Sequence, residues 1–205
     1  MPKVPLFTKN GSGEFVYHGY INNMHRWMIT DSDDEQLDIS PPTYSVSKRQ
    51  LLVQRALIDR GANGTVGGSD CTWIGGPVTP KSVSITGIDN HQLNNIPIGT
   101  VGAFCNSNRG PVICIFNEVA YTGKHQSIIS SIQLEHYHNE VNDTCILKTG
   151  KQAQRITTAD GYIFGLSIKS GLAYLKMRPF TTQEYESLPH VVMTSDKKWD
   201  PSIFD

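Results

Sequence analysis

The segment Ala56-Leu57-Ile58-Asp59-Arg60-Gly61-Ala62-Asn63-Gly64 ends an apolar run on a carboxylate and follows it with glycines. A strand entering a glycine-rich turn would hold Asp59 at a rigid end. Gly61, two residues on, lets backbone amides fold back toward the carboxylate. Carboxylates that hydrolyse a peptide bond need this geometry twice. One takes a proton from water while a second, nearby, stays protonated. Like charges in contact cannot both ionise, so the pair shares one proton. The chain carries one Asp-x-Gly of this kind. Two identical chains about a two-fold axis would supply the pair. The same residues also read as an ordinary turn. Asp160-Gly161, followed by Tyr162, reads as a hairpin turn.

Other chemistries find less support. His125, His136 and His138 lie near Glu135 and Glu140, and His136 and Glu140 would share one face of a helix. H-E-x-x-H spacing is absent, and Tyr137 with Asn139 suggests a solvated helix end, so no metal is expected. No glycine-rich loop carries the Lys-Ser/Thr that cradles phosphates, and Gly-x-Ser-x-Gly is missing. No cofactor is expected. The cysteines Cys71, Cys105, Cys114 and Cys145 show neither C-x-x-C spacing nor the pattern of a zinc knuckle. They are expected as free thiols.

Composition narrows the partners. Lys plus Arg is 18 and Asp plus Glu is 19, for a net charge of −1. That opposes a dedicated nucleic-acid binder, whose affinity comes from many phosphate contacts. Hydrophobic residues make up 38 % and charged residues 18 %, enough for a core and too little charge for a disordered chain. No apolar run reaches the roughly 18 residues of a membrane span. The N-terminus lacks the apolar core of a signal peptide, so residence inside the cell is expected. The N-x-[ST] sequons at Asn10, Asn63 and Asn142 are then chance matches.

The positioning elements read as mostly strand. Residues 1–30 are aromatic-rich and fit either short strands or an irregular arm. Residues 31–42 are acidic and end in Pro-Pro, which suggests a solvated linker. The sequence predicts three parts: an arm and linker over 1–48, a β-rich domain over 49–178, and an extended tail over 179–205. Val83–Thr86 alternates like a half-buried strand. Ile96–Cys105 and Pro111–Tyr121 predict a hairpin around Asn106–Gly110, with Cys105 and Cys114 near-opposite. Ser127–His136 has the spacing of an amphipathic helix. Strands are expected at Cys145–Lys148, Tyr162–Ile168 and Leu172–Met177, and a capped helical turn at Thr181–Glu186.

In order and spacing, residues 49–178 resemble the protease region of copia-type LTR retrotransposon polyproteins, which are retropepsin-like aspartic proteases. Leu57-Ile58-Asp59-Arg60-Gly61-Ala62 is similar to the family's strand followed by Asp-Ser/Thr-Gly-Ala. The 96–121 hairpin, ending Asn117-Glu118-Val119-Ala120-Tyr121, resembles its flap and the following strand. Ser127-Ile128-Ile129-Ser130-Ser131-Ile132-Gln133-Leu134 resembles its Asn-Leu-Leu-Ser-Val-Ser-Gln-Leu segment. Gly123-Lys124-His125 and Leu172-Ala173-Tyr174-Leu175-Lys176-Met177 sit where the family places such residues. The Asp-Arg-Gly-Ala-Asn-Gly loop, Leu188-Pro189-His190 and Trp199-Asp200-Pro201 resemble an algal or diatom-like variant.

The resemblance implies an all-β, retropepsin-like closed barrel with a flap hairpin, one short helix and a homodimeric active site. It implies an endopeptidase that processes a retroelement Gag-Pol polyprotein in the cytoplasm, or in a virus-like particle if the element is active. Asp59 would be catalytic, with Gly61 and Ala62 shaping its loop. The partners would be a second copy of the chain and an extended polypeptide substrate, with neither membrane nor direct nucleic-acid binding. The departure is Arg60. The family has Ser or Thr there, whose hydroxyl braces the two loops across the dimer. Arginine has five donors and no acceptor, so it cannot act as that brace. The alternative is an inactive dimerisation or peptide-binding module.

Overall fold

The computed structural model describes residues 7–9, 15–21, 24–27, 54–76, 81–87, 90–145 and 154–205. The chain divides into two units, Met1–Tyr44 and Ser45–Asp205. In the first, β1 (Phe7–Lys9), β2 (Phe15–Ile21) and β3 (Met24–Trp27) form an antiparallel sheet in that order. Short strands are therefore the form taken by the described part of the aromatic arm. The acidic segment 31–42 lies outside the described residues.

The second unit is mostly β. Its centre is β4 (Arg55–Asp59), whose Ala56, Leu57 and Ile58 are buried. A short, continuous apolar run suits a strand covered on both faces. On one side β4 pairs antiparallel with β14 (Leu172–Arg178), and β14 with β13 (Ile163–Lys169). On the other it pairs in parallel with β10 (Ile128–Ser130), in a register that sets Ser130 beside Asp59. β10 meets β5 (Val66–Gly67), and β5 meets β9 (Gly110–Tyr121). The long strand β8 (Gln92–Ser107) pairs with β9, with β6 (Thr72–Ile74), with β7 (Ser82–Thr86) and, through Cys105 and Phe104, with β14. β11 (Glu140–Asn142) and β12 (Arg155–Thr157) extend the sheet beyond β13. The core gathers Ile58, Phe116, Leu134, Phe164, Leu175 and Met193.

Several expectations change in the fold. The 127–136 segment is not one helix. Ile128 and Ile129 are β-branched and fill a slot between β4 and β5, and α1 begins only at Ser131 and ends at His136. Ser130 caps it, its hydroxyl accepting the Gln133 N–H. The helix end is solvated only in part, with His136 and His138 exposed. Asn139 is buried, and its amide donates to the carbonyls of Leu134 at 2.9 Å and Met193 at 2.8 Å.

The 96–121 hairpin pairs around Asn106–Gly110 as predicted, but it is framework rather than flap. Val101, Ala103, Cys105, Val112, Cys114 and Phe116 are buried, so these strands cannot lift off a substrate without opening the core. The exposed hairpin is β7 with the first half of β8, and Val83–Thr86 is mostly exposed rather than half-buried. Cys105 faces Val112 and Cys114 faces Ala103, so the two thiols are diagonal neighbours, near-opposite as expected, and their side chains interact. None of the four cysteines is in a disulfide. Cys145 stands outside any strand, and 146–148 lie outside the described residues.

Residues 179–205 do not trail from the domain. The α2 helix (Thr182–Ser187) opens on a Thr181–Glu184 capping box, as the sequence suggested. Then β15 (His190–Val192) pairs in parallel with β9, and Val191, Met193 and Thr194 are buried. The sequence hid this because the buried stretch is short and flanked by prolines and charge.

Candidate active site

Asp59 stands at the last position of β4, partly buried, where the strand enters the loop 60–64. The Gly61 N–H turns back and donates to Asp59 Oδ1 at 2.7 Å. A Cβ on Gly61 would sit 3.2 Å from that same oxygen. Glycine thus keeps the approach open for the amide. Ala62 is partly buried, and its carbonyl accepts the Ser130 hydroxyl at 2.7 Å.

The loop is held by the segment that follows β10. The Ser130 N–H donates to Thr65 Oγ1 at 3.2 Å, and Gln133 Oε1 accepts the Thr65 N–H at 2.9 Å. The Gln133 amide also donates to the carbonyls of Asn117 at 3.4 Å and Glu118 at 3.3 Å. Ser130 and Gln133 are buried, so these bonds are made where water cannot replace them. Both residues belong to the Ser130-Ser131-Ile132-Gln133-Leu134 stretch noted in the sequence. Their part in fixing the loop could not be read there, because it depends on the parallel pairing of β10 with β4.

Arg60 points away from the carboxylate it follows. Its guanidinium donates to Glu135 Oε1 at 2.9 Å, to Asp143 Oδ1 at 2.9 Å and to the Val141 carbonyl at 2.9 Å. The bonds to Glu135, then the influence of Asp143, hold its pKa above the ordinary value. Its positive charge is spent on two carboxylates other than Asp59.

A third aspartate, which the sequence did not single out, lies beneath the neighbouring turn. Asp70 is buried, and both its oxygens take the Ser127 N–H at 3.1 Å, while the Ser127 hydroxyl also donates to it. That hydroxyl oxygen accepts the Gly68 N–H at 2.8 Å. Burial raises the Asp70 pKa, opposed by the Ser127 bonds. Burial also pushes the adjacent Cys71 thiol up to about 12, so it is no nucleophile. A Cβ on Gly68 would lie 2.3 Å from the His125 carbonyl oxygen, so only glycine allows this turn to approach the 125–127 backbone that leads into β10. The Gly67-Gly68-Ser69-Asp70 run was the available signal.

One more residue reaches the loop from afar. The Trp199 indole N–H donates to the Asn63 carbonyl at 2.7 Å, and the Trp199 backbone N–H to Glu118 Oε2 at 3.2 Å. His136, weighed as a metal ligand, instead faces the rings of Trp199 and Phe204, at centroid distances of 5.4 and 5.8 Å. His125 sits at φ 61°, its carbonyl accepting from Ser69. Among the described residues no three or more His, Cys, Asp or Glu side chains gather as a metal site. No helix among them is long and apolar enough to cross a membrane.

The arrangement presents one carboxylate on an exposed, braced loop. One chain offers no second carboxylate in contact with it among the described bonds. Compared with protein-family models, with curated proteins and with solved structures, the chain matches none of them.

Proposed function

We propose that the chain is an aspartic endopeptidase of the retropepsin-like kind, working as a homodimer on an extended polypeptide such as a retroelement polyprotein. The observation that carries this reading is Asp59 itself. It stands at the end of a buried strand, its Oδ1 taking the Gly61 amide at 2.7 Å, in a loop braced by buried Ser130 and Gln133. Asp59 from each of two chains would share a proton. One would activate water and the other protonate the leaving nitrogen. The ring of pairings β14–β4–β10–β5–β9–β8–β14 supports a closed barrel. The hairpin of β7 and the start of β8, with Val83 and Leu93 exposed, is suited to cover a substrate strand. Substrate would add through main-chain hydrogen bonds.

Because one chain supplies one carboxylate, hydrolysis per milligram should fall on dilution through the dimer dissociation range. Undiminished hydrolysis by a monomer would overturn the reading. The alternative, an inactive peptide-binding module, is favoured by Arg60, which has no acceptor to brace a partner loop. A statine-type transition-state mimic separates the two, since only a shared-proton dyad should bind it tightly.

A further inference from the structure

Three segments distant in sequence meet at Glu118. It lies in a β-bulge of β9, where Asn117 and Glu118 together oppose Thr100, and it adopts φ 54°. A non-glycine residue at positive φ costs about 1 kcal/mol, so something must hold it there. Its side chain is nearly buried and bridges two groups. Oε1 takes the Lys81 ammonium at 3.0 Å, next to the start of β7. Oε2 takes the Trp199 N–H. Trp199 then reaches the Asp59 loop, its indole N–H on the Asn63 carbonyl, while its ring packs beside His136 of α1 and Phe204. A Cβ on Gly64 would meet the Trp199 ring at 3.7 Å, so ring and loop are in van der Waals range.

We propose that Trp199 is a positioning residue for the Asp59 loop, and that Glu118 couples it to the base of the exposed β7–β8 hairpin. This rests on the protease reading of that loop. The C-terminal segment then acts as a strap. It fixes the carbonyl four residues beyond Asp59 and ties loop and covering hairpin to one carboxylate. A change in the hairpin's seat reaches Asp59 through Glu118, Trp199 and Asn63.

Amide hydrogen exchange on the full chain, read segment by segment, tests this without requiring catalysis. Trp199→Phe keeps a six-membered ring against His136 and Phe204 and removes the indole donor with its five-membered ring. Exchange across 60–64 should quicken roughly fivefold, the equivalent of one neutral hydrogen bond, with the urea midpoint nearly unchanged. On a peptide substrate, kcat per inhibitor-titrated site should fall by a similar factor while KM holds; a simple loss of folded protein would leave kcat per titrated site unchanged. Glu118→Gln keeps an acceptor for the Trp199 N–H and removes the charge facing Lys81. Exchange should quicken at both 60–64 and 82–86. Unchanged exchange at 60–64 in folded Trp199→Phe overturns the positioning role. In Glu118→Gln, any result other than a joint change overturns the coupling. If the parent chain cleaves nothing, the protease reading fails, and the exchange data still decide the strap.

Discussion

Asp59-Arg60-Gly61 and Asp160-Gly161 are both acidic turns closed by glycine, and they are built in opposite ways. The Asp160 turn is stitched largely from within. The Thr158 hydroxyl donates to Asp160, the Gly161 N–H reaches the Thr158 carbonyl at 2.9 Å, and the Thr158 N–H reaches the Tyr162 carbonyl at 2.9 Å. The Asp59 loop closes only one bond on itself, Gly61 to Asp59. Its other fastenings include Ser130, Gln133, Glu135, Val141, Asp143 and Trp199, all at least 65 residues away. Each carboxylate accepts one bond from its own turn, and Asp160 is the more exposed of the two. What sets Asp59 apart is that distant segments fix its loop, which gives the carboxylate one defined place at the end of a buried strand.

The sharpest way to break the comparison is to neutralise each aspartate. Asp59→Asn should lower peptide hydrolysis by about 10²–10⁴-fold with the fold intact, because an amide cannot take water's proton. Asp160→Asn should leave the rate unchanged. Equal rates in parent and Asp59→Asn would remove the chemistry from this loop.

Removing an external fastening comes next. Gln133→Ala orphans the buried Thr65 N–H and should cost about 1–3 kcal/mol in urea unfolding. Thr158 is also buried, but its partners Asp160 and Tyr162 border water, so Thr158→Ala should cost only about 0.5–1.5 kcal/mol. Equal losses would mean the loop is as self-sufficient as the turn.

The two glycines should respond differently to the same methyl. Gly161 has φ 83°, so Gly161→Ala should cost about 1–2 kcal/mol of stability. Gly61 has no such angle, but its new Cβ would crowd Asp59 Oδ1. Gly61→Ala should lower hydrolysis while the unfolding midpoint barely moves. A stability loss at Gly61 equal to that at Gly161 would contradict this contrast.

Asp70 offers a pH test of the wall behind the loop. Burial raises its folded pKa above the ordinary 3.8. The folded state therefore holds the proton more tightly than the unfolded one. Its contribution to stability is complete below the unfolded value and is lost as pH rises through the folded one. Parent unfolding midpoints should show this decline above pH 4, and Asp70→Asn should flatten it. An identical slope in both proteins would assign the pH dependence elsewhere.

The smallest effect belongs to Arg60. It is half exposed, so its pairs with Glu135 and Asp143 are screened, and Arg60→Ser should cost no more than about 1 kcal/mol. The difference should shrink in high salt. A loss several times larger would show that the guanidinium, rather than Ser130 and Gln133, holds the loop.

The sequence by itself determined what local pattern can determine. Ala56-Leu57-Ile58 is apolar on both faces and short, so it could only be a covered strand, and Gly61 marked where it turned. The 96–121 hairpin, the Thr181 capping box and the Asp160 turn were legible for the same reason: their partners lie within a few residues. Tertiary structure decided everything set by distant contact. Ile128 and Ile129 fit a helix or a strand, and the slot between β4 and β5 chose strand. Burial on the second sheet face, invisible in an alternating pattern, made 96–121 framework and left β7 exposed. Val191, Met193 and Trp199 gained their roles only when β15 paired with β9 and brought the C-terminal segment back to the loop. From its neighbours alone Arg60 could lie beside Asp59 or point outward and pair elsewhere. Only the fold supplied Glu135 and Asp143, 75 and 83 residues on, to turn it away.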